Sequence, residues 1–87
     1  MIFYEQIRAG RALLGWSQVN LANAASVGVA TVRRLELSKA EIRGSAETVW
    51  KVQTALEEAG IEFISADETK GPGVRLKHRT RDQEPKR

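Results

Sequence analysis

The side chains in this 87-residue sequence best suited to chemistry are planar hydrogen-bond donors rather than acids or nucleophiles. Arg33 and Arg34 stand side by side with Thr31 just ahead of them. A guanidinium is a rigid fork of donors that fits the two acceptors of a guanine edge or the oxygens of a phosphate. Upstream, Gln18 offers an amide that can donate and accept at once. These are binding groups, and nothing near them supports bond-making. His78 is the only histidine, cysteine is absent, and no acidic pair falls at ligand spacing, so no metal centre, triad or enzyme activity is expected. Gly71-Pro72-Gly73 reads as a turn rather than a phosphate loop, and no cofactor is expected.

Donors of this kind must be held on a rigid element. The stretch from Ser17 to Glu36 reads as two short helices joined by a tight turn at Ser26-Val27, the second carrying the paired arginines near its end. That is the pattern of a helix-turn-helix DNA reader. Ser17 caps the first of these helices through its hydroxyl, and Val19, Leu21, Ala22 and Ala25 give it a face of small residues suited to a close, steep crossing. The next helix begins near Gly28. Val32 and Leu35 point inward, as Val27 does from the turn, which leaves Val29, Ala30, Thr31, Arg33 and Arg34 on the outer faces.

The flanking elements follow from the same periodicities. A first helix spans about Phe3 to Leu14, with Ile7, Ala9 or Gly10, Leu13 and Leu14 at helical spacing and Gly15 as its stop. Gly10 is either a local cost to that helix or a point of close approach. Residues 37–44 form a loop, and Ser45 caps a fourth helix reaching about Ala59, closed by Gly60, with Val49, Val52, Leu56 and Ala59 as its buried stripe. Beyond Gly60 the period changes. Ile61–Ser65 and Val74–Lys77 alternate around the turn formers 67–73, which predicts a β-hairpin that must pack on the helices or pair with another copy. The resulting organisation is a helical domain over 1–60, a hairpin over 61–78 as a candidate dimerisation element, and an unstructured basic tail over 79–87.

Composition and charge narrow the class. With 41% hydrophobic residues the chain can fill one small core and not two. The absence of cysteine suits a reducing compartment; there is no apolar run long enough for a membrane span and the N-terminus lacks signal-peptide character, so a cytoplasmic, nucleoid-associated protein is expected. The formal charge of +3 conceals three zones. Residues 1–43 are basic, 44–74 acidic and 75–87 strongly basic, a layout suited to laying one face on phosphates. The tail reads equally as a solubilising end or as a phosphate-contacting arm.

The residues of 7–39, Ile7-Arg8…Arg11…Leu14-Gly15-Trp16-Ser17-Gln18…Leu21-Ala22…Val27…Thr31-Val32…Leu35-Glu36, resemble the lambda-repressor-like, or xenobiotic-response-element (XRE), helix-turn-helix family. Gly60-Ile61-Glu62-Phe63 followed by Gly71-Pro72-Gly73-Val74-Arg75-Leu76 resembles the hairpin of small stand-alone bacterial regulators of that family. The resemblance implies a mainly α, four- to five-helix DNA-binding domain with a C-terminal β-hairpin, reading double-stranded DNA with the helix over 28–37, commonly as a dimer on a palindrome. It implies a phosphate or adenine contact for Gln18 beside the capping Ser17. It also implies a buried positioning pair, Arg11 with Glu36, and base-facing positions at Val29, Ala30, Thr31 and Arg33, with Arg34 nearer the backbone. Arg33 then suits a bidentate guanine contact, against the plainer reading that both arginines only meet phosphates. Lys39 and Arg43, in the following loop, suit flanking phosphates.

Several positions depart from the family pattern. Gly28 replaces the usual hydroxyl cap, Leu37-Ser38 replaces a small or polar residue and glycine, and Asn20 and Asn23 replace acids, which removes negative charge from the DNA-facing side. Trp50 sits off the buried stripe of its helix. It is either a dimer anchor together with Phe63, Val74 and Leu76, or a residue that the hairpin folds over. Trp16, at a helix junction, is expected in the core. The expectation is a sequence-specific transcriptional regulator acting as a homodimer on an inverted repeat. The rivals are a DNA-binding antitoxin or controller that grips a protein partner, and an interaction module that has lost DNA binding.

Overall fold

The computed structural model describes residues 4–37 and 46–78. Four helices, α1 (Tyr4–Leu14), α2 (Gln18–Ala25), α3 (Val29–Leu37) and α4 (Ala46–Glu58), precede an antiparallel hairpin of β1 (Ile61–Ile64) and β2 (Gly73–Leu76). The protein is therefore mainly helical with a small two-stranded sheet. No fifth helix occurs among the described residues. Ser45, Lys39, Arg43 and the tail 79–87 lie outside them.

Three of the helix boundaries have a local cause. Gly15, at φ +69°, ends α1 because glycine enters the left-handed region without a Cβ clash, and the Trp16 amide then donates to the Arg11 carbonyl at 2.9 Å. A reciprocal cap opens α2. The Asn20 amide donates to Ser17 Oγ at 3.0 Å, and the Ser17 amide donates to Asn20 Oδ1 at 2.9 Å. Asn20, read from the sequence only as a lost acid, is thus half of a capping box. Gly60, at φ +111°, closes α4.

One core joins all the elements. Ile7 and the adjoining Gly10 of α1 meet Leu21, Ala22 and Ala25 of α2, Val32 and Leu35 of α3, Val52, Ala55 and Leu56 of α4, and Ile61 of β1, all buried. The predicted stripes shift by a position in three places. Ala9 and Leu13 are exposed while Gly10 is buried, and a Cβ there would rest in ordinary contact, 3.5 Å from the Leu56 methyls. Val19 is exposed because it lies two residues, about 200°, from Leu21 round the helix. Ala55 is buried in α4, and Val49 and Ala59 only partly so. Trp16 is half-buried against the core.

The hairpin belongs to this core and not to a separate unit. Its register pairs Ile61 with Leu76 and Phe63 with Val74, so these four apolar residues share the inward face. Phe63, Val74 and Leu76 are half-buried and packed against the chain's own core. Glu62 and Arg75 pair at 2.9 Å on the opposite face. Buried Gln6, which the sequence did not flag, ties the hairpin to α1. Its Nε2 donates to the carbonyls of Gly73 at 2.9 Å and Ile64 at 3.3 Å, the closing pair of the ladder. At the tip, Asp67 Oδ1 accepts from the Thr69 and Lys70 amides, each at 2.8 Å, which holds its carboxyl below the usual range.

Candidate nucleic-acid interface

The turn between α2 and α3 sets the angle of the outward helix. Ser26 adopts φ 57°, ψ 45°, and its amide donates to the Ala22 and Asn23 carbonyls, while the Val27 amide donates to Ala22 at 3.0 Å. This left-handed residue reverses the chain within a single step. Glycine would make it at no cost, so a serine here carries strain. Val27 then tucks against the core, and the Gly28 carbonyl accepts from Thr31 and Val32 to start α3.

The faces of α3 divide cleanly. Val32, Leu35 and Glu36 are buried, while Ala30, Arg33, Arg34 and Leu37 are exposed at positions three and four apart. Thr31 is half-buried, and its hydroxyl accepts from Arg34 Nη2 at 3.3 Å. Val29, expected on the outer face, is half-buried, with part of it packed against the core. Leu37 is 75% exposed, an apolar side chain on the charged face that the sequence had assigned to a loop.

A hydrogen-bonded triad locks this helix to the other two. Arg11 Nε and Nη2 donate to the two oxygens of Glu36 at 2.6 and 2.8 Å, and Nη1 donates to the Trp16 carbonyl at 2.9 Å. Gln18 Nε2 adds a third donor to Glu36 at 3.0 Å. The Glu36 side chain is only 4% exposed. Burial alone pushes its carboxyl up, but hydrogen bonds from Arg11 and Gln18 and the charges of Arg11 and Arg8 outweigh that and hold it below the usual carboxylate value. The same pairing raises Arg11. Arg11 and Glu36 therefore meet as the family resemblance implied. Their link to Gln18 was not foreseen, because three residues so far apart in the chain share no local signature.

The outward cations are available. Among the described residues neither Arg33 nor Arg34 has a carboxylate partner, and Arg8 of α1 is likewise unpaired. Arg8 was not singled out in the sequence, although its spacing of three from Arg11 places it on the same side of α1. Ser17 and Gln18 lie at the N-terminus of α2, exposed and half-buried respectively. The acids Glu47, Glu58, Asp67 and Glu68 are exposed on α4 and the hairpin. Trp50 is 64% exposed, so the hairpin does not cover it. It borders a shallow hollow between α2 and α4 with Ala24, Ser26, Lys51, Thr54 and Glu58.

Among the described residues no cluster of acids and histidine could hold a metal ion, and no helix is long and apolar enough to cross a membrane. No protein-family model matches the chain, and no curated protein matches it.

Proposed function

We propose that this protein is a sequence-specific DNA-binding transcriptional regulator of the lambda-repressor-like kind, not an enzyme, working in the cytoplasm on the nucleoid. In this reading α3 enters the major groove with Ala30, Thr31, Arg33 and Arg34 turned to the DNA, and Ser17 and Gln18 meet the backbone beside it. The observation that carries it is the pairing of an unneutralised cationic face on α3 with a buried lock, Arg11–Glu36–Gln18, that fixes the angle of that helix. A helix held so firmly, with its charges left free, suits recognition of a polyanion of fixed shape.

With few polar groups on the reading face, one domain supplies limited discrimination. Two copies on an inverted repeat supply the rest, and the exposed Trp50 is the anchor for the second copy. The same tryptophan and its hollow support a second reading, a DNA-binding antitoxin or controller whose partner protein seats there. Selection of duplexes from a random pool by the purified protein tests the proposal. Enrichment of an inverted repeat with half-sites about one helical turn apart supports it. A pool that emerges unenriched contradicts it and favours an interaction module.

A further inference from the structure

Arg33 is the residue that simple groove-reading logic would set against a guanine. Its surroundings assign it elsewhere. It lines a hollow between α1 and α3 whose walls are Arg8, Arg11, Gln18, Arg33, Glu36 and Leu37. Within that hollow Arg11 and Glu36 neutralise each other, which leaves Arg8 and Arg33 as two cations facing one space. Glu5, also on α1, forms no ion pair with either among the described residues. Gln18 has spent one amide hydrogen on Glu36 and has a second to give.

The helical wheel separates the two adjacent arginines. At about 100° per residue, Arg33 lies midway between exposed Ala30 and buried Glu36, whereas Arg34 lies beside Ala30 on the far side from Glu36. Arg34 is also steadied by Thr31, away from the hollow. One arginine thus faces out and the other faces the cleft.

We infer that Arg8 and Arg33 form a two-armed clamp for a single backbone phosphodiester of duplex DNA, with Gln18 as a third donor. This rests on the proposed DNA-binding reading and sharpens it: Arg33 becomes a backbone contact, and base discrimination falls to Ala30, Thr31 and Arg34. The clamp also ties α1, which reads nothing, to the same strand that α3 enters. A phosphodiester fits because it offers two oxygens to donors arriving from opposite walls, while Arg11 is already committed to the Glu36 carboxylate and the Trp16 carbonyl.

A double-mutant cycle on a labelled duplex of random sequence tests this by anisotropy over a range of salt. Arg8→Gln and Arg33→Gln should each weaken binding about tenfold. Each should also make the log–log salt dependence shallower by roughly one unit. Because both arms hold one phosphate, the double variant should be little weaker than either single one. Arg33→Lys should retain most of the affinity, since a phosphate accepts a point charge. Wild-type binding that survives both glutamine substitutions overturns the clamp and leaves the DNA-binding reading standing, as does a double variant whose losses simply multiply. Displacement of the duplex by millimolar inorganic phosphate at matched ionic strength makes the hollow a free-phosphate site and overturns the assignment. A wild-type protein that binds no duplex even at low salt overturns both.

Discussion

Arg11 and Glu36, 25 positions apart, meet through two parallel hydrogen bonds of 2.6 and 2.8 Å, with the carboxylate almost wholly removed from solvent. The pair joins the end of α1 to the end of α3. It carries no free charge outward, so its work is to set the angle between those helices. Replacing Arg11 with alanine strands the carboxylate with Gln18 alone, and urea unfolding should show a loss of about 3 kcal/mol. The double change Arg11→Met with Glu36→Leu should recover most of that, because no buried charge remains. A single variant as stable as wild type would deny the pair its structural role.

Acid titration checks the same site by its sign. Glu36 is held below its ordinary value in the folded protein, so its stabilising contribution is complete above the unfolded carboxylate value of about 4.3 and is lost as the pH falls through its lower folded value. Stability should therefore decline on the acid side of about pH 4. In the Glu36→Gln variant that decline should be shallower. An identical acid limb in both proteins would place the titrating group elsewhere.

Two backbone positions are set against stability and should yield to substitution. Ser26 holds the left-handed conformation at the α2–α3 turn, so Ser26→Gly should raise stability by about 1 kcal/mol and Ser26→Val should lower it, both read by thermal unfolding. A destabilised glycine variant would contradict the turn geometry.

Gly10 sits inside α1, where a methyl would meet Leu56 and Ile61 at 3.5 to 3.6 Å, ordinary contact distances. Gly10→Ala should accordingly stabilise by about 1 kcal/mol through the backbone entropy it removes from the unfolded chain. A loss of stability would mean that α1 and α4 lie closer than these distances.

What was legible in the sequence, and what was not, follows the range of each interaction. Four helices and a hairpin could be read from apolar spacing because that signal is local and repeats within a few residues. The Ser17 cap was readable from its hydroxyl, and Gly15 and Gly60 from their lack of a Cβ. Ser26 gave no warning of its left-handed backbone, since serine has no special preference for that region. Gln6 and the Gln18–Glu36 bond depend on segments that meet only after folding, so no window along the chain contains them. The hairpin itself was legible, but whether the apolar face of Phe63, Val74 and Leu76 meets the chain's own helices or a second copy depends on how α1 and α4 pack.

Trp50 offers a direct test of the proposed homodimer. It is 64% exposed, so Trp50→Glu should leave the stability of the folded chain within about 0.5 kcal/mol of wild type. Sedimentation should nevertheless show a dimer for wild type and a monomer for the variant. A wild-type protein that sediments as a monomer at every concentration, with and without duplex, would remove the dimer from the account.

The central claim is that the outward face formed by the α2 N-terminus and α3 is where DNA binds. Amide chemical shifts followed during titration of the full chain with a short duplex at low salt report that face residue by residue. The proposed function predicts shifts concentrated at Ser17, Gln18, Ala30, Thr31, Arg33 and Arg34, fading as salt is raised, with Trp50 and the outer face of the hairpin unmoved. Shifts confined to α4 and the hairpin, or none at all in low salt, would contradict it.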